Sequence, residues 1–524
     1  FFKQKTAYEI PKRDWSSDVC SSDLTRQFDK RDLFKSPESL DYSTETDPKK
    51  KGTYFRSNSQ SDKFDGNLTL QYNKVLGVHS LNVGVGSNLT ESTEEGDSYT
   101  GVGFVNPDMV FIGAAISFEE NSSPNGSYDK SRLVGFFGNV NYGYDNRYFL
   151  DLSFRTDGSS KFGRNSRFAP FWSVGVAWNV HKEAFWSGDE KSSLKLRASV
   201  GSTGTTNFSS TQALTTYNYD FSKIYNGVFG VSLAGYGNPE LKWQNTISYN
   251  VGVDMTLLKG LVTFNGDFYI KNTENLLLPL TVAPSTGFSS YVENIGKLRN
   301  TGIEGRLRLN LIRDTQRDLR WNVTLSAFHN KSKITKLSNQ LEEINKYANS
   351  DWYNQGTVVY RQYEAGRSQT ALMMVRSGGI DPATGNEVYI KRNGELTFEY
   401  DANDKVKCGD MKPTIEGNVN TNLTWKGFTL YMLFKYQFGA KAYNGTLASK
   451  VEGANPYKNA DKRVLYDRWK EPGDHAKFRR IDDRTSPYQT TRLVFDNDLF
   501  SLSSVSLSYE LPREISQKFY ADRV

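Results

Sequence analysis

The sequence predicts an all-β protein: a transmembrane antiparallel β-barrel, incomplete in this chain, with long loops at one rim and short turns at the other. Three observations predict it. Apolar and polar residues alternate strictly along many segments. Those segments run roughly 9–13 residues, close to what a tilted strand needs to cross a bilayer. The connections between them are short on one side and long on the other.

In RYFLDLSFRTD, Tyr148, Leu150, Leu152 and Phe154 share a face, while Arg147, Phe149, Asp151, Ser153 and Arg155 share the other. In FAPFWSVGVAWNV the bulky Phe168, Trp172, Val174, Val176, Trp178 and Val180 alternate with Ser173, Gly175, Ala177 and Asn179. The pattern recurs at Val262, Phe264, Phe268 and Ile270, and at Ile303, Leu307, Leu309 and Leu311 opposite Glu304, Arg306, Arg308 and Asn310. It recurs at Trp321, Val323, Leu325 and Ala327, and at Val419, Leu423 and Trp425 opposite Asn418, Asn420, Asn422 and Thr424. FTLYMLFKYQF is the clearest case, with Phe428, Leu430, Met432, Phe434, Tyr436 and Phe438 on one side. The chain holds about fourteen to sixteen such segments.

Strands at 132–144 and 147–157 are joined by Asp145-Asn146, those at 245–256 and 261–271 by LLKG, and those at 417–425 and 428–438 by Lys426-Gly427. The turns at 181–192 and 314–319 are also modest, and strand counting puts all of these on one rim. The connections 204–243, 272–299, 331 to about 413, and 440–498 fall on the other. A soluble sandwich or propeller would share the alternation, but its strands are usually about five or six residues long. The aromatic ends Trp172/Trp178 and Phe428/Phe438 suit a membrane interface.

Composition narrows the class further. Aromatics make up 14% of the chain, yet no run approaches the length of an apolar membrane helix, so helical spans are excluded. The net charge of +6 comes from interspersed acids and bases with no basic stripe, which argues against nucleic-acid binding. His79, His181, His329 and His475 never approach a metal-ligand spacing. No nucleophile elbow, P-loop or cofactor fingerprint is found, so no catalytic, cofactor or metal residue is assigned and the chain is not read as an enzyme. DANDKV at 401–406 lacks the glycine and distal glutamate of a calcium loop and reads as a solvated turn. The charged DRWKEPGDHAKFRR likewise reads as a solvated loop.

Residues 1–24, FFKQKTAYEIPKRDWSSDVCSSDL, have no apolar run and cannot be a signal peptide. KQKTAYEI and DWSSDVCSSDL back-translate to DNA resembling sequencing-library adapters, separated by the length of an index tag. This stretch is read as a non-native adapter-derived peptide, and 25–524 as the partial barrel. Setting Cys20 aside leaves Cys408 alone, so no intrachain disulfide is expected.

Eight stretches, in consistent order from about residue 60 to 515, resemble the C-terminal barrel of SusC/RagA-type TonB-dependent outer-membrane receptors. They are NRYFLDLSFRTDGSSKFGRNSRFAPFWSVGVAWNV, LKLRASVGSTG, GNPELKWQNTISYNVGVDM, ENIGKLRNTGIEGRLRLN, GIDPATGNEVYIKRNGE, GNVNTNLTWKGFTLYMLFKYQFGAKAYN, DRWKEPGDHAKFRR and FSLSSVSLSYELP. The resemblance implies part of a 22-stranded barrel in the cell outer membrane, with plug, TonB box and terminal strands missing here. It implies a SusD-like lipoprotein lid, the TonB–ExbB–ExbD complex, and oligosaccharide or peptide cargo. A passive porin, a siderophore-type receptor and a soluble β-rich binding protein are the alternatives. Expressed alone, the chain is expected not to transport, because open sheet edges cannot be satisfied in lipid. Tyr217 and Tyr219 in TTYNYDF, with Trp352 and Tyr353 in SDWYNQG, are the candidate cargo contacts, since sugar rings stack on aromatic faces.

Overall fold

The computed structural model describes residues 18–511 and residue 517, apart from 120–123, 164–165, 190, 206–212, 236, 239, 282–289, 295, 338–344, 346–361, 456–458 and 484. Fourteen strands form one continuous path. They are β1 (Asp18–Lys35), β2 (Thr53–Leu76), β3 (His79–Val102), β4 (Asn125–Tyr144), β5 (Tyr148–Ser159), β6 (Phe168–Asn179) and β7 (Ser193–Thr205). Then come β8 (Gln244–Leu257), β9 (Val262–Glu274), β10 (Lys297–Asp314), β11 (Leu319–Lys336), β12 (Ile415–Trp425), β13 (Phe428–Phe438) and β14 (Leu499–Tyr509). Each pairs antiparallel with the next, and β1 and β14 stand at the two ends, so the sheet is an unclosed barrel wall.

Turn chemistry sets the register. Asp145 and Asn146 both have φ of 51°, and Lys426 and Gly427 have φ of 47° and 84°. Two consecutive residues with positive φ make the tight hairpin turn whose twist matches the flanking strands, which is why Asn and Gly occur there. The links 77–78, 145–147, 180–192, 258–261, 315–318 and 426–427 lie on one rim; the remaining connections lie on the other, as the strand count predicted.

Two departures from the sequence reading have local causes. Leu311 was expected on the face of Leu307 and Leu309, but a bulge between Asn310 and Ile312 breaks the phase there. β2 and β3 reach 24 residues each, twice the expected length. At about 3.3 Å per residue that far exceeds an apolar band about 25 Å tall. Their upper parts, such as 57–63, are polar on both faces because they stand above the membrane. β1 also runs back through residues 18–24, pairing Leu24 with Phe64 and Asp18 with Leu70. This ladder uses only backbone groups, so it accommodates the foreign origin that we propose for that stretch.

The outer face is a lipid-facing surface rather than a core. Val251, Ile303 and Phe154 are 60%, 58% and 55% exposed. One row runs Phe264, Leu307, Leu325, Val419, Phe434 and Leu502 across six strands. At the short-turn rim Tyr144, Tyr148 and Trp178 stack at 6.5 Å spacings. Glu183 accepts hydrogen bonds from Tyr148 Oη at 2.7 Å and Trp178 Nε1 at 2.9 Å. Phe428 and Tyr509 continue this aromatic girdle at 4.4 Å.

Candidate functional site

Two surfaces are built to meet a solute: the inner wall, and the folded loops above it. On the inner face, Arg197 of β7 bridges Asp254 of β8 at 2.8 Å and Asp267 of β9 at 3.0 Å. Asn265 Nδ2 donates to Asp254 at 2.8 Å. The guanidinium lies over Gly252, where a Cβ would come within 2.5 Å of Asp267 and 2.8 Å of Arg197. The glycine therefore makes room for the ion triad. Next to it, a concavity of about 620 Å³ is lined by Asp267, Glu304, Arg306, Glu416, Asn418 and Lys435. Acids and bases alternate in height here, since Glu304 and Arg306 are two residues apart on β10. Such a wall can hold polar solutes of either charge.

The rim is more ordered than its sequence suggests. Strands 371–374 and 406–410 pair, 376–380 pairs with 387–390, and Lys441–Tyr443 pairs with Val494–Asp496. These elements come from two connections, 337–414 and 439–498, and one buried ionic cluster joins them. Arg492 donates to Glu387 at 3.0 Å and Glu452 at 3.1 Å. Arg479 donates through Nε to Glu452 at 2.7 Å and through Nη1 to Asp483 at 2.6 Å. Thr490 Oγ1 donates to Glu387 at 2.6 Å. Burial pushes the Glu452 carboxyl up, but Arg492 and Arg479 outweigh it and hold the group below the usual carboxylate range. Burial likewise opposes the charge of Arg492, and Glu387 and Glu452 more than restore it.

DRWKEPGDHAKFRR is therefore not a solvated loop throughout. Arg468, Phe478 and Arg479 are 5%, 4% and 6% exposed. Arg468 caps the helical turn Ala448–Glu452, donating to the carbonyls of Val451 and Glu452, which satisfies the unpaired groups at a helix end. Trp469 Nε1 donates to Pro382 O at 2.8 Å, a second tie between the two loops. The turn at 401–406 uses its acids locally: Asp401 accepts from the Asn403 N–H and Asp404 from the Arg392 N–H.

Tyr217 and Tyr219 lie on the strand Thr216–Tyr225 of a hairpin between β7 and β8, with Tyr217 64% exposed. Trp352 and Tyr353 lie outside the described residues. No sequence signal marked Glu387, Glu452, Arg479 or Arg492, apart from the density of arginines around residue 479.

An antiparallel wall with an apolar outer and polar inner face, tight turns at one rim and folded loops at the other, defines an outer-membrane barrel. The chain belongs to the family described as TonB dependent receptor-like, beta-barrel, whose model matches residues 4–431. TonB-dependent receptor P3 of Formosa agariphila is 28% identical over 474 residues, covering 86% of this chain and 45% of that protein. TonB-dependent receptor SusC of Bacteroides thetaiotaomicron is 25% identical over 463 residues, covering 82% and 44%. The chain thus spans less than half the length of these relatives. The solved RagAB peptide transporter shares the fold at a TM-score of 0.80 and 22% identity, over 97% of this chain and 55% of that one.

Proposed function

We propose that this chain is the barrel wall of an active outer-membrane importer for oligosaccharides or peptides. A SusD-like lipoprotein would cover its long-loop rim, and TonB–ExbB–ExbD would drive release. The observation that carries this reading is a polar, charge-alternating inner wall beneath two long loops locked into one folded unit. The likeness to SusC and to the fold of a peptide transporter supports it. The chemistry is gating and binding: the loops hold cargo, and the wall carries it inward. Tyr217, Tyr219, Trp352 and Tyr353 are the aromatic contacts we assign to cargo.

The test is uptake in cells. Deleting the gene that carries this chain should abolish growth on its oligosaccharide or peptide cargo, and restoring the gene should rescue growth only in a strain with intact TonB. Rescue independent of TonB would identify a passive pore instead.

A further inference from the structure

The outer face across β8 to β11 changes character with height. One row, Val253–Gly266–Gly305–Ala327, is made of small side chains, and the rows beside it carry Phe264 and Leu307 below and Val251, Phe268 and Ile303 above. Between these rows the surface sinks into an apolar concavity of about 540 Å³, lined by Val251, Phe264, Phe268, Ile303, His329 and Ile415.

Directly above it the face turns basic. Continuing the same alternation, Thr301 faces Lys331 and Arg299 faces Lys333. Both lysines and Arg299 are exposed. Arg299 Nε donates to Asn272 at 2.8 Å, and among the described residues none of the three cations is paired with a carboxylate. The nearby Glu274 is already taken by Lys297 at 2.5 Å. The height fits a membrane boundary. Lys331 lies ten residues above Trp321, which stands two residues from the short-turn end of the same strand. That is about 33 Å along the strand and, at a tilt of about 40°, about 25 Å vertically, the height of an apolar band.

An apolar groove inside the bilayer with a cluster of exposed cations at its interface end is the complement of an acyl chain beneath an anionic headgroup. We propose that this face holds a net-anionic phospholipid, with an acyl chain in the groove and the phosphate on Arg299, Lys331 and Lys333. The proposal rests on the outer face lying in the membrane, and not on what the importer carries.

The test uses the full-length protein, purified from nanodiscs of equal parts phosphatidylcholine and phosphatidylglycerol, with retained lipid read by mass spectrometry. Wild type should enrich phosphatidylglycerol, and R299Q, K331Q and K333Q should each lower the enrichment about fivefold. These side chains are exposed, so unchanged heat-modifiable gel mobility will confirm the fold. Gly305→Val should also lose the lipid with all charges intact, because a Cβ there meets nothing closer than Phe264 at 3.6 Å and the added methyls narrow the groove. Equal retention of both lipids by wild type would overturn the proposal. So would a charge effect that Gly305→Val leaves untouched, which would indicate phosphate binding without a chain. A wild-type dimer that Gly305→Val dissociates would assign the face to a second copy and overturn it too.

Discussion

Arg492 donates through Nη2 to Glu387 Oε2 at 3.0 Å, across 105 residues of sequence. Its other terminal nitrogen reaches Glu452, so one guanidinium joins two carboxylates from the two longest loops. Arg492→Ala would leave both acids buried without this partner. Breaking a buried pair from one side costs about 3–5 kcal/mol. Hydrogen exchange should show lost protection across 371–410 and 441–496, with the barrel strands unchanged.

Acid should open the same unit. The folded-state pKa of Glu452 is depressed, so its contribution is fully present above the unfolded value of about 4.3 and is lost as pH falls through the lower folded value. Loop protection should stay flat from neutral pH to about pH 5, then fall in more acidic buffer. Protection that fell between pH 8 and pH 6 would contradict the assignment to a carboxylate.

Gly252→Ala places a methyl against Arg197 and Asp267, both engaged in the triad. Overpacking of this kind costs about 1–3 kcal/mol. A lower urea midpoint for loss of heat-modifiable mobility would register it. Gly227→Ala in the hairpin turn is a control for glycine removal without crowding, since nothing lies within 4 Å of its added Cβ. Its positive φ of 78° still adds backbone strain.

Tyr217→Ala should weaken cargo uptake without lowering the amount of folded protein. If Tyr217 stacks on cargo, the loss is about 0.5–1.5 kcal/mol, a twofold to tenfold weaker affinity. Unchanged uptake kinetics would move the contact elsewhere on the rim.

Much of the wall was legible because membrane strands must alternate. β13 was placed at 428–438 to the residue, and the turns Asp145-Asn146 and Lys426-Gly427 announced themselves by residue type. The upper halves of β2 and β3 were not legible, since a strand with water on both faces leaves no hydrophobic period. The loop cluster was hidden for a different reason. Charges such as Glu387 and Arg479 look solvated until Arg492 and Glu452, 105 and 27 residues away, pair with them, and local pattern carries no information about such pairing. Of the four aromatic candidates, the structure places Tyr217 in the open on a hairpin, and says nothing of Trp352 and Tyr353.

The ionic cluster also bears on the order of assembly. It closes a circuit through β12 and β13, which lie between its two contributing loops. Before the β12–β13 hairpin forms, Glu387 and Arg492 are the ends of a long slack tether. Afterwards the hairpin turns both strands back to one rim and shortens it. Loop closure weakens only by about 0.6 kcal/mol per doubling of length, so the hairpin's larger gift is direction: it delivers both loops to the same side. The salt cluster is therefore placed to seal strands that the hairpin has already brought together.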